Sequence, residues 1–384
     1  MYFGTINDWA QRLNLTPKES TVSYTLVNDS RINSKIRSQN KSTTSTTSTL
    51  VQQKPLILYW TKFFSGNLSN KLQPDHPCPY KCRYSSSRAD QAKADARIFH
   101  IRDFNANDLP VQNPNAYNKR RHILNFIILA RSDPTQIFTF PYDAFVEQDG
   151  SEDKKDVWTE LQIDKHIDRK LSSALAAISN CHLGSSGRNN YIKELKKYIN
   201  VTQVGRCSKV DCDNKCLDKL IDSHHFYLAF ENSVCPEYTT EKFWRIKKLI
   251  VPIVLSRGAM HPSIPSDSYI AASDFESPRK LAIYLSELVK DKEKYKSYFN
   301  WTKHYRRTIY NEHNTATMCQ LCKLITKGRK RIKNYTDEWN ISECIQQYGD
   351  RLINNRKDLM KDEAKLAKLV NETSRSRLVN RLEE

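Results

Sequence analysis

The sequence predicts an α/β protein, and two strand–loop–helix–strand units lead to that prediction. In the first unit, the apolar run Phe226–Phe230 is followed by a short loop and a helix expected from about Glu241. The apolar run Val251–Leu255 then begins the next strand. Units of this kind build parallel sheets, and 384 residues are enough for two such domains.

The second unit lies upstream, in residues 170–205. An apolar segment, residues 170–180, reads as a strand and leads into a glycine-containing loop. Arg188 opens a helix, and residues 201–205 form the next strand. Five residues at helical spacing are expected to face the core, namely Tyr191, Ile192, Leu195, Tyr198 and Ile199.

Polar residues follow the strand of the first unit, where parallel sheets usually bind ligands. They are Asn232, Tyr238, Glu241 and Lys242. Thr239 and Thr240 are expected to cap the helix, and helix N-termini favour phosphate. A lysine in the first turn opposes the helix dipole, so a bound anion beside it would compensate. The alternative is an ordinary buried unit with a solvated Glu-Lys pair.

The composition indicates a folded, basic protein. Hydrophobic residues make up 39% of the chain and aromatic residues 10%, and the formal net charge is +18. Such a charge suits nucleic acid, acidic lipid or an anionic small substrate. The basic residues are spread along the chain except at 327–331, which we interpret as a solvated tail in preference to a nuclear signal. Charge alone therefore does not favour a nucleic-acid binder.

Ten cysteines and nine Asn-x-Ser/Thr sequons point to the secretory pathway. The cysteine spacings do not form the paired CxxC motifs of a zinc ribbon, so we predict disulfides without assigning their connectivity. Asp211-Cys-Asp213 resembles a metal-binding DxD triplet, but it lies in a cysteine-rich loop and not after an apolar strand. We therefore predict no metal site.

The stretch FYLAFENSVCPEYTTEKFWR, residues 226–245, resembles the donor-binding signature of the α1,3-fucosyltransferases, glycosyltransferase family 10. Further similarity covers about residues 55–324, including Ile57–Thr61 and the Cys319-Gln-Leu-Cys322 motif. The chain resembles an invertebrate-like member of this family. The resemblance implies two Rossmann-like domains facing a cleft, the GT-B type. It also implies that GDP-fucose is bound by Arg188, Asn232, Tyr238, Glu241 and Lys242.

By this resemblance, the protein transfers fucose with inversion to the 3-hydroxyl of GlcNAc in glycoprotein or glycolipid glycans. GDP-fucose and a GlcNAc-containing acceptor are the expected partners, with no nucleic acid. No cofactor is expected to be required, because Arg188 and Lys242 can neutralise the charge of the leaving GDP. A divalent cation is expected at most to stimulate the reaction. The family location is the Golgi lumen.

One part of the family pattern is missing. Relatives carry a strand ending in Glu-Ser-Pro, whose glutamate is the general base, and residues 105–123 contain no such motif. The catalytic residue is therefore unknown, with Asp108 as an unsupported substitute. An alternative function follows: an impaired or truncated isoform that binds GDP-fucose without transferring it. His100 and Asp103 are interpreted as structural.

The predicted organisation has five parts. Residues 1–53 form a Ser/Thr-rich stem, 54–160 the acceptor-side domain, and 168–300 the GDP-fucose-binding domain. A closing segment with the CxxC motif spans 301–324, and a charged helical tail, partner-seeking or solvated, spans 325–384. The family usually has an N-terminal membrane anchor, and no apolar stretch here is long enough to be one.

Overall fold

The computed structural model describes residues 54–62, 78–100, 108, 124–128, 143–148, 157–181, 185–307, 318–319, 321–323, 325–326 and 344–382. The predicted stem lies outside these residues. So do Asp103 and all of segment 105–123 except Asp108.

Eleven strands occur in the described part of the chain, and they are numbered here in chain order. They are β1 (Leu56–Tyr59), β2 (Arg83–Ser85), β3 (Ala96–His100), β4 (Leu124–Ile128), β5 (Val146–Glu147), β6 (Ser172–Ala177), β7 (Val201–Val204), β8 (His224–Leu228), β9 (Val251–Val254), β10 (Ile270–Ala271) and β11 (Tyr305–Arg306).

The α-helices of the same residues are numbered likewise. They are α1 (Glu160–Asp168), α2 (Arg188–Leu195), α3 (Asn214–Ser223), α4 (Pro278–Leu288), α5 (Lys292–Ser297), α6 (Tyr348–Asn354) and α7 (Arg356–Leu382).

Two parallel sheets organise the protein. The N-terminal sheet has the order β2-β1-β3-β4, and the C-terminal sheet has the order β10-β9-β8-β6-β7. All pairs within both sheets are parallel, and β5 with β11 forms a separate antiparallel ribbon. The predicted α/β class with two Rossmann-like halves is confirmed.

The core of the C-terminal sheet has two faces, as parallel sheets require. Alternate residues of β6 and β8 point to opposite sides, so Ala174 and Phe226 belong to one cluster and Leu175 and Tyr227 to the other. Helices α2 and α4 cover the first face, and α3 covers the second. Every residue of β8 is buried, in agreement with the apolar run in the sequence.

The helix that opens with Arg188 is confirmed, with one exception on its predicted core face. Tyr191, Ile192, Leu195 and Ile199 are buried, whereas Tyr198 is 43% exposed and its hydroxyl donates to Glu194. The prediction for Tyr198 was wrong because α2 ends at Leu195 and Tyr198 lies in the turn that follows the helix. At α4, Ser277 caps the helix by accepting from Lys280 N, and Pro278 is its first residue, as predicted.

The helix expected from Glu241 was predicted incorrectly. A short 3-10 helix spans Phe243–Lys248, and its N-cap, Lys242, makes no side-chain capping bond. Thr240 does not cap a helix, because its hydroxyl donates to Glu231. Downstream, the run Tyr269–Phe275 contributes only two strand residues before a 3-10 turn at Ala272–Asp274.

All ten cysteines form disulfides, which confirms the prediction of disulfides over zinc. Two of the bridges, Cys78–Cys319 and Cys82–Cys322, attach the CxxC segment to the N-terminal half. Two others are local, Cys181–Cys207 and Cys212–Cys216. The fifth, Cys235–Cys344, joins the signature stretch to the C-terminal tail.

The C-terminal tail is helical, as predicted, but it is not simply solvated. Tyr348, Leu352, Leu359, Leu366 and Val370 are all at most 3% exposed, and the first four pack in the core of the C-terminal half. In the part of the chain that the structure describes, every helix is too short or too polar to span a bilayer.

Candidate functional site

The strand order places the candidate site at one point of the C-terminal sheet. Strands β6 and β8 are neighbours. The chain leaves β6 toward the face covered by α2 and leaves β8 toward the opposite face. Such a switch point opens a crevice at the carboxyl ends of the two strands, where open α/β sheets bind ligands. Arg188 follows β6, and Asn232, Tyr238, Glu241 and Lys242 follow β8.

Arg188 connects the two loops of this crevice. It is the first residue of α2 and is only 5% exposed. Its guanidinium donates to Phe230 O at 2.9 Å and to Asn180 O at 3.0 Å. Burial lowers the pKa of Arg188, and the nearby carboxylate of Glu231 opposes that shift. The side chain thus holds the end of β8 against the loop that follows β6.

The residue before Arg188 needs a special backbone conformation. Gly187 has φ +67°, in the left-handed region that favours glycine. This turn places Arg188 where its guanidinium reaches Phe230 O at the end of β8.

Glu231 is at the centre of the site, although the sequence did not mark it as a functional residue. Its carboxylate accepts from Thr240 N at 2.8 Å, from Thr240 Oγ1 at 2.7 Å and from Lys242 Nζ at 3.0 Å. The side chain of Glu231 is 11% exposed and that of Lys242 is 19% exposed. These bonds hold residues 229–242, named here the signature loop, against the end of β8.

Lys242 uses all three of its N–H donors within the protein. Besides Glu231, its Nζ contacts Thr240 Oγ1 at 2.7 Å and Glu241 Oε1 at 3.1 Å. Glu241 is the exposed member, with half of its side chain accessible. The sequence predicted an anion beside Lys242. In the structure, the carboxylates of Glu231 and Glu241 occupy that position.

These contacts shift the ionisation of all three groups. Burial raises the pKa of Glu231 above its usual value, and Lys242 and Thr240 only partly oppose this. Burial acts the other way on Lys242, but the carboxylates of Glu231 and Glu241 raise its pKa above the usual value. For Glu241, burial is outweighed by the charge and hydrogen bond of Lys242, which lower its pKa. Near neutral pH, Lys242 is a fixed cation.

Asn232 and Tyr238 are paired across the signature loop. The Tyr238 hydroxyl donates to Asn232 Oδ1 at 3.2 Å, and both side chains are partly exposed. The structure thus brings four predicted residues together on one loop and links the fifth, Arg188, to the end of the same strand. A pattern search could have flagged Glu231, since a carboxylate after a buried apolar run is unusual.

The DxD triplet has a structural role in the loop before α3. Asp213 caps this helix by accepting from Cys216 N at 2.8 Å, and Cys212 and Cys216 are bonded to each other. Among the described residues, no group of three or more His, Cys, Asp and Glu side chains is placed to hold a metal ion.

Asp108 lies in the N-terminal half and is held by Arg88. The guanidinium donates to both carboxylate oxygens, at 3.1 and 2.7 Å, and to Trp60 O at 2.9 Å. Arg88 also stacks over the Trp60 ring at 3.7 Å. Through Arg88 these contacts tie Asp108 to Trp60, next to the end of β1, and no residue of the described part of the chain is identified as the catalytic base.

A separate surface depression of about 630 Å³ lies between residues 262–267 and 300–305. Its lining includes Asp267, Asn300, Trp301, His304 and Tyr305. None of the five predicted donor residues lines it.

Comparison with known proteins matches the same part of the chain. The family model "Glycosyltransferase family 10 (fucosyltransferase) C-term" matches residues 167–340. The alpha-(1,3)-fucosyltransferase fut-1 of Caenorhabditis elegans is 29% identical over 318 residues, which are 75% of this chain and 70% of the relative. The 4-galactosyl-N-acetylglucosaminide 3-alpha-L-fucosyltransferase FUT6 of Pongo pygmaeus is 31% identical over 280 residues, covering 66% of this chain and 75% of the relative.

A crystal structure of an alpha1,3-fucosyltransferase with GDP-fucose is also similar, with a TM-score of 0.41 and 14% identity, covering 77% of this chain and 95% of that one. The family match includes both loops of the switch point, and the FUT6 relative is matched over three quarters of its length. The chain belongs to glycosyltransferase family 10, the fucosyltransferases.

Proposed function

We propose that this protein transfers fucose from GDP-fucose to the 3-hydroxyl of a GlcNAc residue in glycoprotein or glycolipid glycans, with inversion. The observation that carries the proposal is the set Arg188, Asn232, Tyr238, Glu241 and Lys242 at the carboxyl ends of β6 and β8. The relatives that match this chain are α1,3-fucosyltransferases, and they suggest the donor sugar and the linkage.

The reaction is an in-line displacement at the anomeric carbon of fucose. The acceptor oxygen forms a bond to that carbon, the bond to the β-phosphate oxygen breaks, and GDP leaves with the electron pair. Arg188 and Lys242 stabilise the charge that develops on the diphosphate. The hydroxyl proton passes to a carboxylate that we leave unassigned, and general-base help of this kind contributes typically about 10²–10⁴-fold.

The contacts of Lys242 define how donor binding would proceed. All three donors are occupied, so a phosphate oxygen has to replace one acceptor. Glu241 is the acceptor to be replaced, because it is half exposed while Glu231 is nearly buried. The released Glu241 carboxylate and the Asn232 amide then orient hydroxyls of the sugar or ribose, and Tyr238 packs on the donor.

We also propose that the protein works in the Golgi lumen and requires no metal cofactor. Five disulfides that use every cysteine suit an oxidising compartment. Two cations at the switch point can neutralise the diphosphate without a metal ion.

The test is release of GDP from GDP-fucose by the full chain, with and without a panel of GlcNAc-terminated glycans. Lys242→Met is the test variant. Lys248→Met is the matched control, since Lys248 is an exposed lysine on the adjacent 3-10 helix that pairs with Asp218 at the surface. Release that needs acceptor, is lost in Lys242→Met and persists in Lys248→Met is the expected result.

A second candidate is favoured by the missing Glu-Ser-Pro motif. In that case the chain is an impaired or truncated isoform, which binds GDP-fucose but does not transfer it. Saturable GDP-fucose binding without release on any acceptor would replace the first proposal with this one.

A further inference from the structure

The C-terminal tail contacts the candidate donor site at three places, beginning with the signature loop. Cys344 is bonded to Cys235, which lies between Asn232 and Tyr238 in sequence. The next residue, Ile345, forms an antiparallel bridge with Val234 and donates to its carbonyl at 2.8 Å. The tail thus anchors the middle of the loop that carries four of the five donor residues.

The second contact is with the turn that precedes Arg188. The amide of Gln347 donates to Ser185 O, and that of Gly349 donates to Ser186 O at 2.7 Å. Asn190, in the first turn of α2, donates to Asp350 Oδ1 at 2.6 Å. The tail therefore holds the start of the helix that Arg188 opens.

The approach at this contact is very close. A Cβ atom on Gly349 would lie 2.6 Å from Gly187 O and 3.1 Å from Tyr191 Cβ. Only a residue without a side chain lets the two backbones meet at this distance.

The third contact is made by Glu363 of α7 with the loop after β9. Its carboxylate accepts from Gly258 N and from Ser256 Oγ, both at 2.7 Å, and from the Tyr348 hydroxyl at 2.5 Å. In the same loop, Ala259 O accepts a hydrogen bond from Glu237 N at 2.8 Å, and Glu237 belongs to the signature loop. Through the loop after β9, Glu363 therefore connects the tail to the signature loop.

Residues 344–366, named here the brace, therefore contact the loops at the carboxyl ends of three neighbouring strands, β6, β8 and β9. The brace is packed and not loosely attached, because Tyr348, Leu352, Leu359 and Leu366 are at most 3% exposed. The match to the family model ends at residue 340, before the brace begins.

We propose that the brace is a positioning element of the donor site: it sets the separation between Arg188 and the signature loop, and GDP-fucose affinity depends on it. This inference rests on the proposed function, since it concerns the same donor. A displacement of about 1 Å in groups that position a substrate can cost a hundredfold in rate, and a rigid site avoids the ordering cost of binding. Coupling between brace and donor is reciprocal, so the donor must also stabilise the brace.

The first experiment uses that reciprocity on the unaltered chain. Hydrogen exchange is measured with and without saturating GDP. We expect the amides of Ile345, Gln347 and Gly349 to exchange about tenfold more slowly with GDP, while the far end of α7, residues 371–382, is unchanged. Unchanged exchange in the brace, with GDP protecting residues 231–242, overturns the inference and leaves the proposed function intact.

The second experiment separates positioning from folding. In Gly349→Ala, the added Cβ pushes the Ser186–Gly187 turn away, so the KM for GDP-fucose should rise at least about tenfold while the KM for acceptor stays constant. Lys368→Ala, an exposed lysine on α7 outside the brace, is the control and should match the unaltered chain. Partial unfolding alone would lower the maximal rate and leave the KM unchanged, and that result contradicts the proposal.

The double variant Cys235→Ser/Cys344→Ser gives a second route if Gly349→Ala does not fold. It removes the covalent link but adds no atoms to the interface. A rise of about threefold or more in the KM for GDP-fucose, with the KM for acceptor unchanged, supports the brace; a value within the error of the unaltered chain overturns it. If the unaltered chain binds no GDP at all, the proposed function fails and the inference fails with it.

Discussion

The Glu231–Lys242 pair allows the structural and the donor-binding role of Lys242 to be separated. In Lys242→Met the carboxylate of Glu231 loses its cation while its side chain stays 11% exposed. Breaking a buried ion pair by removing one partner costs about 3–5 kcal/mol. Because Thr240 still donates twice to Glu231, we expect the lower end, a loss of about 3 kcal/mol in the free energy of unfolding at pH 7.5.

This loss should depend on pH in a defined direction. Burial already raises the pKa of Glu231, and the variant lacks the ammonium that opposed that shift. The folded variant therefore binds a proton that the unfolded chain releases near its ordinary pKa of about 4.3. Its stability falls as pH rises through the folded pKa, by at most about 1.4 kcal/mol per pH unit. The deficit relative to the unaltered protein should shrink when the pH is lowered from 7.5 toward 5.5.

The assay is urea unfolding followed by tryptophan fluorescence with disulfides intact, together with calorimetric titration of GDP. Glu231→Gln/Lys242→Met removes the stranded charge and should recover at least about 2 kcal/mol of the lost stability. Lys248→Met, the exposed control, should cost under about 1 kcal/mol. Both variants at position 242 should lose GDP affinity. The reasoning is refuted if the double variant is no more stable than Lys242→Met, or if it binds GDP as the unaltered chain does.

Three further outcomes are expected. Burial lowers the pKa of Lys170 to about 8 from its usual 10.5, so the folded chain binds fewer protons than the unfolded chain between these values. The free energy of unfolding of the unaltered protein, measured against that of Lys170→Met, should therefore rise by about 3 kcal/mol between pH 7 and pH 10.5. A difference in urea unfolding that does not change with pH would contradict this. Gly205 has φ +94°, and a Cβ atom there would lie 2.7 Å from Ile178 O. Gly205→Ala should therefore lose about 1–3 kcal/mol of the free energy of unfolding in thermal unfolding, and an unchanged midpoint would argue against backbone strain. Transfer activity should survive treatment with a chelator, because Arg188 and Lys242 carry the diphosphate charge, and activity restored only by added Mn²⁺ would show that a metal is needed.

Much of the fold was predictable because its signals are local. The apolar runs that became β1, β6, β8 and β9 are short, continuous and bounded by polar loops, which is typical of buried parallel strands. The cap at Ser277 was predictable for the same reason, since cap and helix are adjacent in sequence. Local signals failed at Phe243–Lys248, where the bonds of Thr240 and Lys242 to Glu231 replaced the expected helix start.

The five donor residues were identified through family resemblance and not through spacing. Spacing alone left Glu241 and Lys242 open to interpretation as a solvated pair. The structure contains a pair in which Lys242 is mostly buried and Glu241 is half exposed. It adds Glu231 as the residue that organises both, a role that depends on the loop folding back over eleven residues.

The sequence by itself determined the α/β class, the two halves, the use of disulfides and the identity of the signature stretch, because each follows from residues close together along the chain. The tertiary structure alone decided which strands are neighbours, which cysteines pair and where the tail lies. Cys235 and Cys344 are separated by 109 residues, and Gly349 meets Gly187 across 162 positions. Contacts of that range depend on the path of the whole chain and on the packing of α6 and α7 against the core, which no local pattern encodes.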